Sequence, residues 1–432
     1  MRINIKFIYL LLGIGIVYFT DSLFLSVIVG KDSELQLPVT RVVWIVTFLG
    51  SLYLVNYMSS FMRTWCIASA LIFLYFILES LYLYGSFFQF PRVFSKVLEI
   101  FSIFYVYGFY KKFNGKINVE NVVHFIAIFF ILNAAIVNRT AFSVVSFAEH
   151  DRGFTAESVY FLVIPILYFF NKYFSDKSAK YLFYGGFFLF IVIFLQHRTV
   201  WIATSVALFI NFLMYRKSGL KIDLSAFIPI ALIVFVAAFF VGFFILTNET
   251  IVTKLNESID DLANPTGQGT GSWRWEQFTS YWPFIVDNFL FGMRLQGFEL
   301  PVQFFDRDNL AFEDGTGHHF HSYYVDRLFY FGITGLLFIM APVIYYITFL
   351  VGKIKKLGLD RIAFLGFVGS AIVYSLSYKI QLNVYASVGF FIYIIETDFL
   401  NQQKAEFLEK EEEETHIDEE VVENDVLISP RL

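Results

Sequence analysis

Three of the chain's seven histidines fall within four residues, His318-His319-Phe320-His321. A metal site would need three or four ligands converging on one ion. His318 and His321, or His319 and His321, are spaced to supply two. Asp306, Asp308, Glu313 or Asp314 would have to supply the rest. No HExxH or paired-Cys signature accompanies them. The lone cysteine, Cys66, rules out both a four-thiolate zinc site and an intramolecular disulfide. A general base, by contrast, needs one imidazole titrating near neutrality at the mouth of a cavity. A solvated polar loop asks nothing of its histidines. Spacing alone leaves base and loop open.

The arginines point to a second chemistry. Arg198 sits between two apolar runs in "LQHRTVWIA", and Arg274 lies in "GTGSWRWEQFTSYW". Arg139 and Arg152 flank the stretch "NRTAFSVVSFAEHDRGF". With Arg294, Arg307 and Arg327 they form a set of guanidinium groups without a dense carboxylate cluster. That pattern suits an anionic ligand such as a phosphate or pyrophosphate. Each arginine alone reads equally as an interfacial side chain whose stem lies along apolar surface. Three of the six tryptophans, Trp273, Trp275 and Trp282, share the Arg274 segment. Trp275, Phe278, Trp282 and Ile285 fall at helical spacing, as in a helix lying at a membrane surface. Ser272 is placed to cap it, Glu276 suits its first turn, and Pro283 is expected to kink or end it.

The elements that must position these residues are written in the composition. At 57% hydrophobic and 21% aromatic residues, with mean hydropathy +0.62, the chain holds more apolar surface than one soluble core can hide. Twelve apolar runs are long enough to span a bilayer, near 7–29, 38–58, 65–84, 93–110, 119–138, 156–173, 181–197, 199–215, 224–246, 323–351, 361–378 and 382–399. The junction at Gln196-His197-Arg198 reads either as a polar turn or as a break in one long span. The first run has no small-residue cleavage site after it and reads as a span. With the N-terminus inside, short inside loops carry sixteen Lys and Arg, and short outside segments carry eight. Both termini are then cytoplasmic. One outside loop, about 247–322, is far longer than the rest, as functional loops often are. Residues 1–400 thus form a transmembrane domain and 401–432 an acidic tail expected to be disordered. From Asn401 on there are eleven acidic and three basic residues, so the body is about +3 although the whole chain is −5. The acidity marks no binding face, and no nucleic-acid partner is expected.

Three of these stretches together resemble the bacterial O-antigen ligase and O-antigen polymerase family. "LQHRTVWIA" is similar to the family's Arg-Ser/Thr stretch at a span start. "GTGSWRWEQFTSYWPFIVDNFLFGMRLQGF" resembles its Gly-Arg segment followed by Asn-Pro. "HFHSYYVDRLFYFGITGLL" resembles its His-led entry to the next span, with Gly332 and Gly335 allowing close packing. The departures are Trp273 before Arg274, Phe289 after Asn288, and Ser322 in place of Asn. The resemblance covers about 190–345; the first half matches in topology alone.

The resemblance implies an all-α polytopic, GT-C-like membrane protein of about twelve spans, with its large periplasmic loop between spans 9 and 10. It implies a cytoplasmic-membrane glycosyltransferase working by metal-independent inverting transfer, without a cofactor. The donor would be a glycan on undecaprenyl pyrophosphate. The acceptor would be another lipid-linked repeat in a polymerase, which is favoured, or lipid A core in a ligase. A chain-length regulator is a further partner that this implies. Carried over by motif, Arg198 and Arg274 bind the pyrophosphate and His321 activates the acceptor hydroxyl. Arg139, Arg152, Arg294, Arg307, Arg327, Trp273 and Trp275 are further phosphate or sugar contacts. Asp326 is placed to orient His321, and His318 and His319 are loop residues helping to position it. The rivals are a lipid-linked glycan flippase, which needs no particular outside histidine, and a membrane acyltransferase, for which no further motif is present.

Overall fold

A computed structural model describes residues 5–31, 34–113, 117–143, 146, 153–219, 270–304 and 314–427, with 225, 228, 229, 231, 232, 235, 239, 253 and 256. Regular structure among them is helical, apart from one bridge between Pro301 and Thr316. In chain order the helices are α1 (Lys6–Tyr18), α2 (Ser22–Val29), α3 (Gln36–Leu54), α4 (Ser60–Tyr84), α5 (Pro91–Phe113), α6 (Val119–Ile136), α7 (Ala156–Asp176), α8 (Ala179–Phe194) and α9 (Arg198–Ser218). Then come α10 (Thr270–Asp287), α11 (Gln296–Glu299), α12 (Tyr323–Lys353), α13 (Leu359–Tyr374) and α14 (Leu382–Leu427).

Seven of the described helices are long and apolar enough to cross a membrane, or eight if α1 and α2 count as one span bent by 107°. The chain is thus all-α and built for multiple passes. The run near 224–246 lies mostly outside the described residues. The run 7–29 breaks where Asp21 caps α2, its carboxylate accepting from Leu23 N at 2.8 Å. At 196 the chain makes a turn: Gln196 takes φ +54 and His197 caps α9. The stretch read as a disordered tail continues helically to Leu427. Glu- and Lys-rich sequence has good helix propensity, and the preceding span supplies the nucleus.

The core sits along α5, α7 and the first half of α14, whose apolar residues are almost all buried. Helices α3, α4, α8 and α9 surround it and turn Leu49, Leu71, Phe190 and Phe209 outward, as lipid-facing surfaces require. Buried hydroxyls find partners across helices, as with Tyr18 to Ser387 and Tyr160 to Phe367 O, each at 2.8 Å.

Contacts also sort the charged ends. Lys217 donates to Ile354 O, Lys111 pairs with Glu396, and Arg361 pairs with Asp398. Lys111, Lys217 and Arg361 belong to the Lys and Arg assigned to one side by the alternation of spans; Arg92, Lys96 and Lys379, assigned to the other, gather with His319 and Asp326.

Two features shape the second end. A buried aromatic cluster of Phe73, Phe76, Phe94, Tyr281, Phe320 and Phe329 docks α10 against α4, α5 and the start of α12. Beside it α12 is broken at Gly332 (φ 64, ψ −170). The backbone groups freed by that break are met by the segment after α10. Met293 N and Arg294 N donate to Phe329 O and Tyr330 O at 2.8 and 2.9 Å; Ile333 N donates to Phe289 O at 2.8 Å. Non-helical backbone persists at such a place only when another backbone satisfies it.

Candidate functional site

The site is built around the end of α13. Tyr323 N, the first helical N–H of α12, donates to Ser375 O at 3.0 Å, which anchors the residues just after His321 there. Arg274 lies with its guanidinium carbon 5.3 Å from the Tyr378 ring centre and 5.3 Å from that of Trp273. Trp273 in turn meets the His321 ring edge-on at 5.0 Å. Helix α9 packs antiparallel to α13: Leu357 N donates to Lys217 O, and a Cβ on Gly366 would lie 2.9 Å from Ala207 O. Extending that register brings Arg198, the first residue of α9, level with Ser375. His321 and Arg274 therefore meet near one end of α13, and α9, which Arg198 begins, runs alongside that helix.

Arg274 is half-buried between two rings, and its Nε is buried with no hydrogen-bond partner among the described residues. The Nε atoms of Arg294 and Arg327 share this status, but both of those guanidiniums are paired with a carboxylate; Arg274 has no ion pair among the described residues, which leaves its charge available to an anion. His197, beside Arg198, is buried and its Nε2 meets Phe154 O at 3.0 Å, which ties the α8–α9 turn to the start of α7.

The other two histidines of the run have different surroundings. His318 is 2% exposed; its Nδ1 meets the Tyr281 hydroxyl at 2.7 Å. Burial pushes its pKa down to about 4. His319 bridges three elements. Its Nε2 meets Arg92 Nη1 at 2.8 Å, its Nδ1 meets Lys379 Nζ at 3.1 Å, and its carbonyl accepts from Gln277 Nε2 of α10 at 3.2 Å. Burial, then the charges of Lys379, Lys96 and Arg92, push its pKa down to about 3. No group of three or more His, Cys, Asp or Glu able to hold a metal forms among the described residues. Asp306, Asp308 and Glu313 lie outside them.

The remaining expected residues scatter. Arg139 is exposed just beyond α6, and its Nε donates to Ala135 O in the last turn of that helix at 3.0 Å. Arg294 pairs with Glu79 at 3.1 Å and donates to the Tyr75 hydroxyl, fastening the loop to α4. Arg327 is 2% exposed, donates to Lys96 O at 2.8 Å and pairs with Glu99 at 2.5 Å. Asp326 takes Lys96 as its ion-pair partner. Arg152 and Arg307 are outside the described residues. Trp275 is 54% exposed and packs in a row with Phe278 and Trp282, ring planes tilted, along the outer face of α10. That face continues through Val286, Phe289 and Phe291, all exposed, as an apolar ridge suited to lipid. Ile285, expected on the same stripe, instead packs inward with Tyr281. Helix α10 begins at Thr270, before Ser272, and runs through Pro283 without ending.

Sequence reasoning missed Tyr378, Lys379, Arg92, Lys96 and Gln277 as neighbours of the histidine run. In sequence, Arg92, Lys96 and Lys379 are three of the cations at the outer ends of spans. That was the one available signal, because their partners lie far away in sequence.

Residues 183–340, somewhat more than a third of the chain, match the family model of the O-antigen ligases, so the likeness seen in the three motifs is present over the loop-bearing segment. The match includes Arg198, Trp273, Arg274 and His321 and stops short of Arg92, Lys96 and Lys379 on either side. No curated protein matches the chain.

Proposed function

We propose, from this O-antigen ligase likeness, that the chain transfers a glycan from undecaprenyl pyrophosphate to an acceptor hydroxyl at the outer face of a bacterial cytoplasmic membrane. The acceptor oxygen attacks the anomeric carbon from the face opposite the lipid. The bond from that carbon to the pyrophosphate oxygen breaks, the configuration inverts, and His321 takes the hydroxyl proton. Arg198 and Arg274 stabilise the charge that develops on the leaving pyrophosphate, so no divalent ion is required for it. Trp273 holds Arg274 and His321 in mutual register. Arg294 and Arg327, each engaged by a carboxylate, fasten the loop and the α12 entrance; Arg139 and Arg152 serve the glycan. The exposed row on α10 seats the lipid tail.

The observation that carries this is the unsatisfied Arg274 Nε one aromatic ring away from His321. If the chain makes twelve spans with both termini cytoplasmic, as its Lys and Arg distribution leads one to expect, this end of the bundle faces outside. An acceptor that is itself lipid-linked makes the protein a polymerase, and this is the favoured case; lipid A core would make it a ligase.

The test is reconstitution of the purified chain in liposomes with a labelled lipid-linked repeat as the only glycan. Growth of longer lipid-linked glycans supports the polymerase. Growth only when lipid A core is added supports the ligase. Movement of the label across the bilayer without a new glycosidic bond overturns transfer in favour of a flippase.

A further inference from the structure

We propose that Lys379 is a third cationic ligand of the lipid pyrophosphate, acting with Arg274, and that His319 holds it ready between turnovers. This inference rests on the transfer function proposed above. His319 contacts two cationic groups, Arg92 Nη1 at Nε2 and Lys379 Nζ at Nδ1. A neutral imidazole has one lone pair and one N–H. Whichever tautomer forms, one of the two cations faces an N–H. Arg92 is a rigid planar fork, whereas Lys379 carries a compact ammonium on a flexible stem and is the one able to swing.

The charges around it are nearly all accounted for. Lys96 is taken by Asp326 and Arg327 by Glu99. Glu157, at the start of α7, is a carboxylate within electrostatic reach of Lys379. Lys379 follows Tyr378, the residue whose ring lies under the Arg274 guanidinium. An anion held by Arg274 beside Tyr378 would therefore lie next in the chain to Lys379, whose flexible stem could bring its ammonium to it. A pyrophosphate can offer one phosphoryl group to each, which relieves both the orphaned Arg274 N–H and the opposed contact at His319.

The test measures binding of undecaprenyl pyrophosphate and undecaprenyl monophosphate to the full chain in nanodiscs. Lys379→Met is expected to weaken the pyrophosphate lipid by about tenfold, the effect of one charge-assisted contact, while the monophosphate changes less than about threefold. Lys379→Arg is expected to restore most of the loss. Retained monophosphate affinity shows that the variant is folded. Equal weakening of both lipids, or no weakening of either, overturns the role of Lys379. Arg274→Ala separates the two levels: if it binds the pyrophosphate lipid as the unsubstituted chain does, the transfer site itself falls. If Arg274→Ala loses binding and Lys379→Met does not, Lys379 alone is wrong.

Discussion

A histidine that removes a proton from an alcohol must be neutral beforehand and basic enough to receive it. Burial and cationic neighbours hold His318 and His319 near 4 and 3, so both are neutral at pH 7 and poor proton acceptors. The base in the proposed reaction is therefore His321, half-buried against Trp273. His321→Ala is expected to lower transfer by about 10²–10⁴-fold with the protein still folded in the membrane. Wild-type glycan assembly in that variant would remove the base assignment. Arg198→Ala and Arg274→Ala are each expected to lose most activity, with Arg274→Lys keeping more than Arg274→Ala. The depressed histidines also make a stability prediction. Their folded values lie below the unfolded value of about 6.5, so the unfolded chain binds more protons as pH falls. Stability is therefore complete above about pH 6.5 and declines toward pH 4, by at most about 1.4 kcal/mol per pH unit for each group. His318→Phe keeps a ring in the Tyr281–Phe320–Phe329 cluster and removes one titration. Thermal melts of the purified protein should show a shallower acid slope in that variant; an unchanged slope would mean His318 is not buried as a neutral ring.

The device that sets these residues in place is the crossing of two backbones at Gly332. With φ at +64, a side chain there costs about 1–2 kcal/mol before any contact is considered. A Cβ would also lie 2.5 Å from Leu290 C and 2.6 Å from Gly292 N, atoms that cannot swing away. Gly332→Ala should therefore separate the α10 segment from the α12 entrance and abolish transfer. Gly186→Ala, in α8 with open space around it, should be silent or slightly stabilising. Equal behaviour of the two variants, measured by detergent melting and transfer, would show that the crossing does not matter. The glycines of "YFGITGLL" were legible as a close approach, and at Gly332 the neighbour is backbone. Gly335 instead crowds Phe331 of its own helix. Helix positions were legible more generally because apolar length is the dominant signal in a membrane chain. The runs near 65–84, 93–110, 119–138 and 199–215 coincide with α4, α5, α6 and α9. Which of them lie at the centre was not legible: α4 is the more apolar of the two, yet packing buries α5 and leaves α4 facing lipid. Arg327 shows the same limit at the site. A charge beside a histidine motif reads as a ligand contact, and only the fold reveals the Glu99 that occupies it.

At the scale of the whole molecule the proposed chemistry depends on orientation, because an undecaprenyl-linked donor must meet the site on the side where the glycan is exposed. The alternation of Lys and Arg assigns Arg92, Lys379 and the loop histidines to one side and Lys217, Lys355 and Arg361 to the other. Contacts within each set agree with that division, since His319 reaches Arg92 and Lys379 while Lys217 reaches Ile354 O. They fix which residues share an end and say nothing of which end is cytoplasmic. The single native cysteine makes this measurable: Cys66 is fully buried, so an added thiol can be labelled against a silent background. Asp314→Cys, exposed in the loop before the histidines, is expected to react with a membrane-impermeant maleimide in spheroplasts. Lys355→Cys, whose side chain is 77% exposed at the opposite end, should react only after lysis. The reverse pattern would place Arg198, Arg274 and His321 in the cytoplasm and remove the outer-face transfer reaction, even though every contact within the site would stand unchanged.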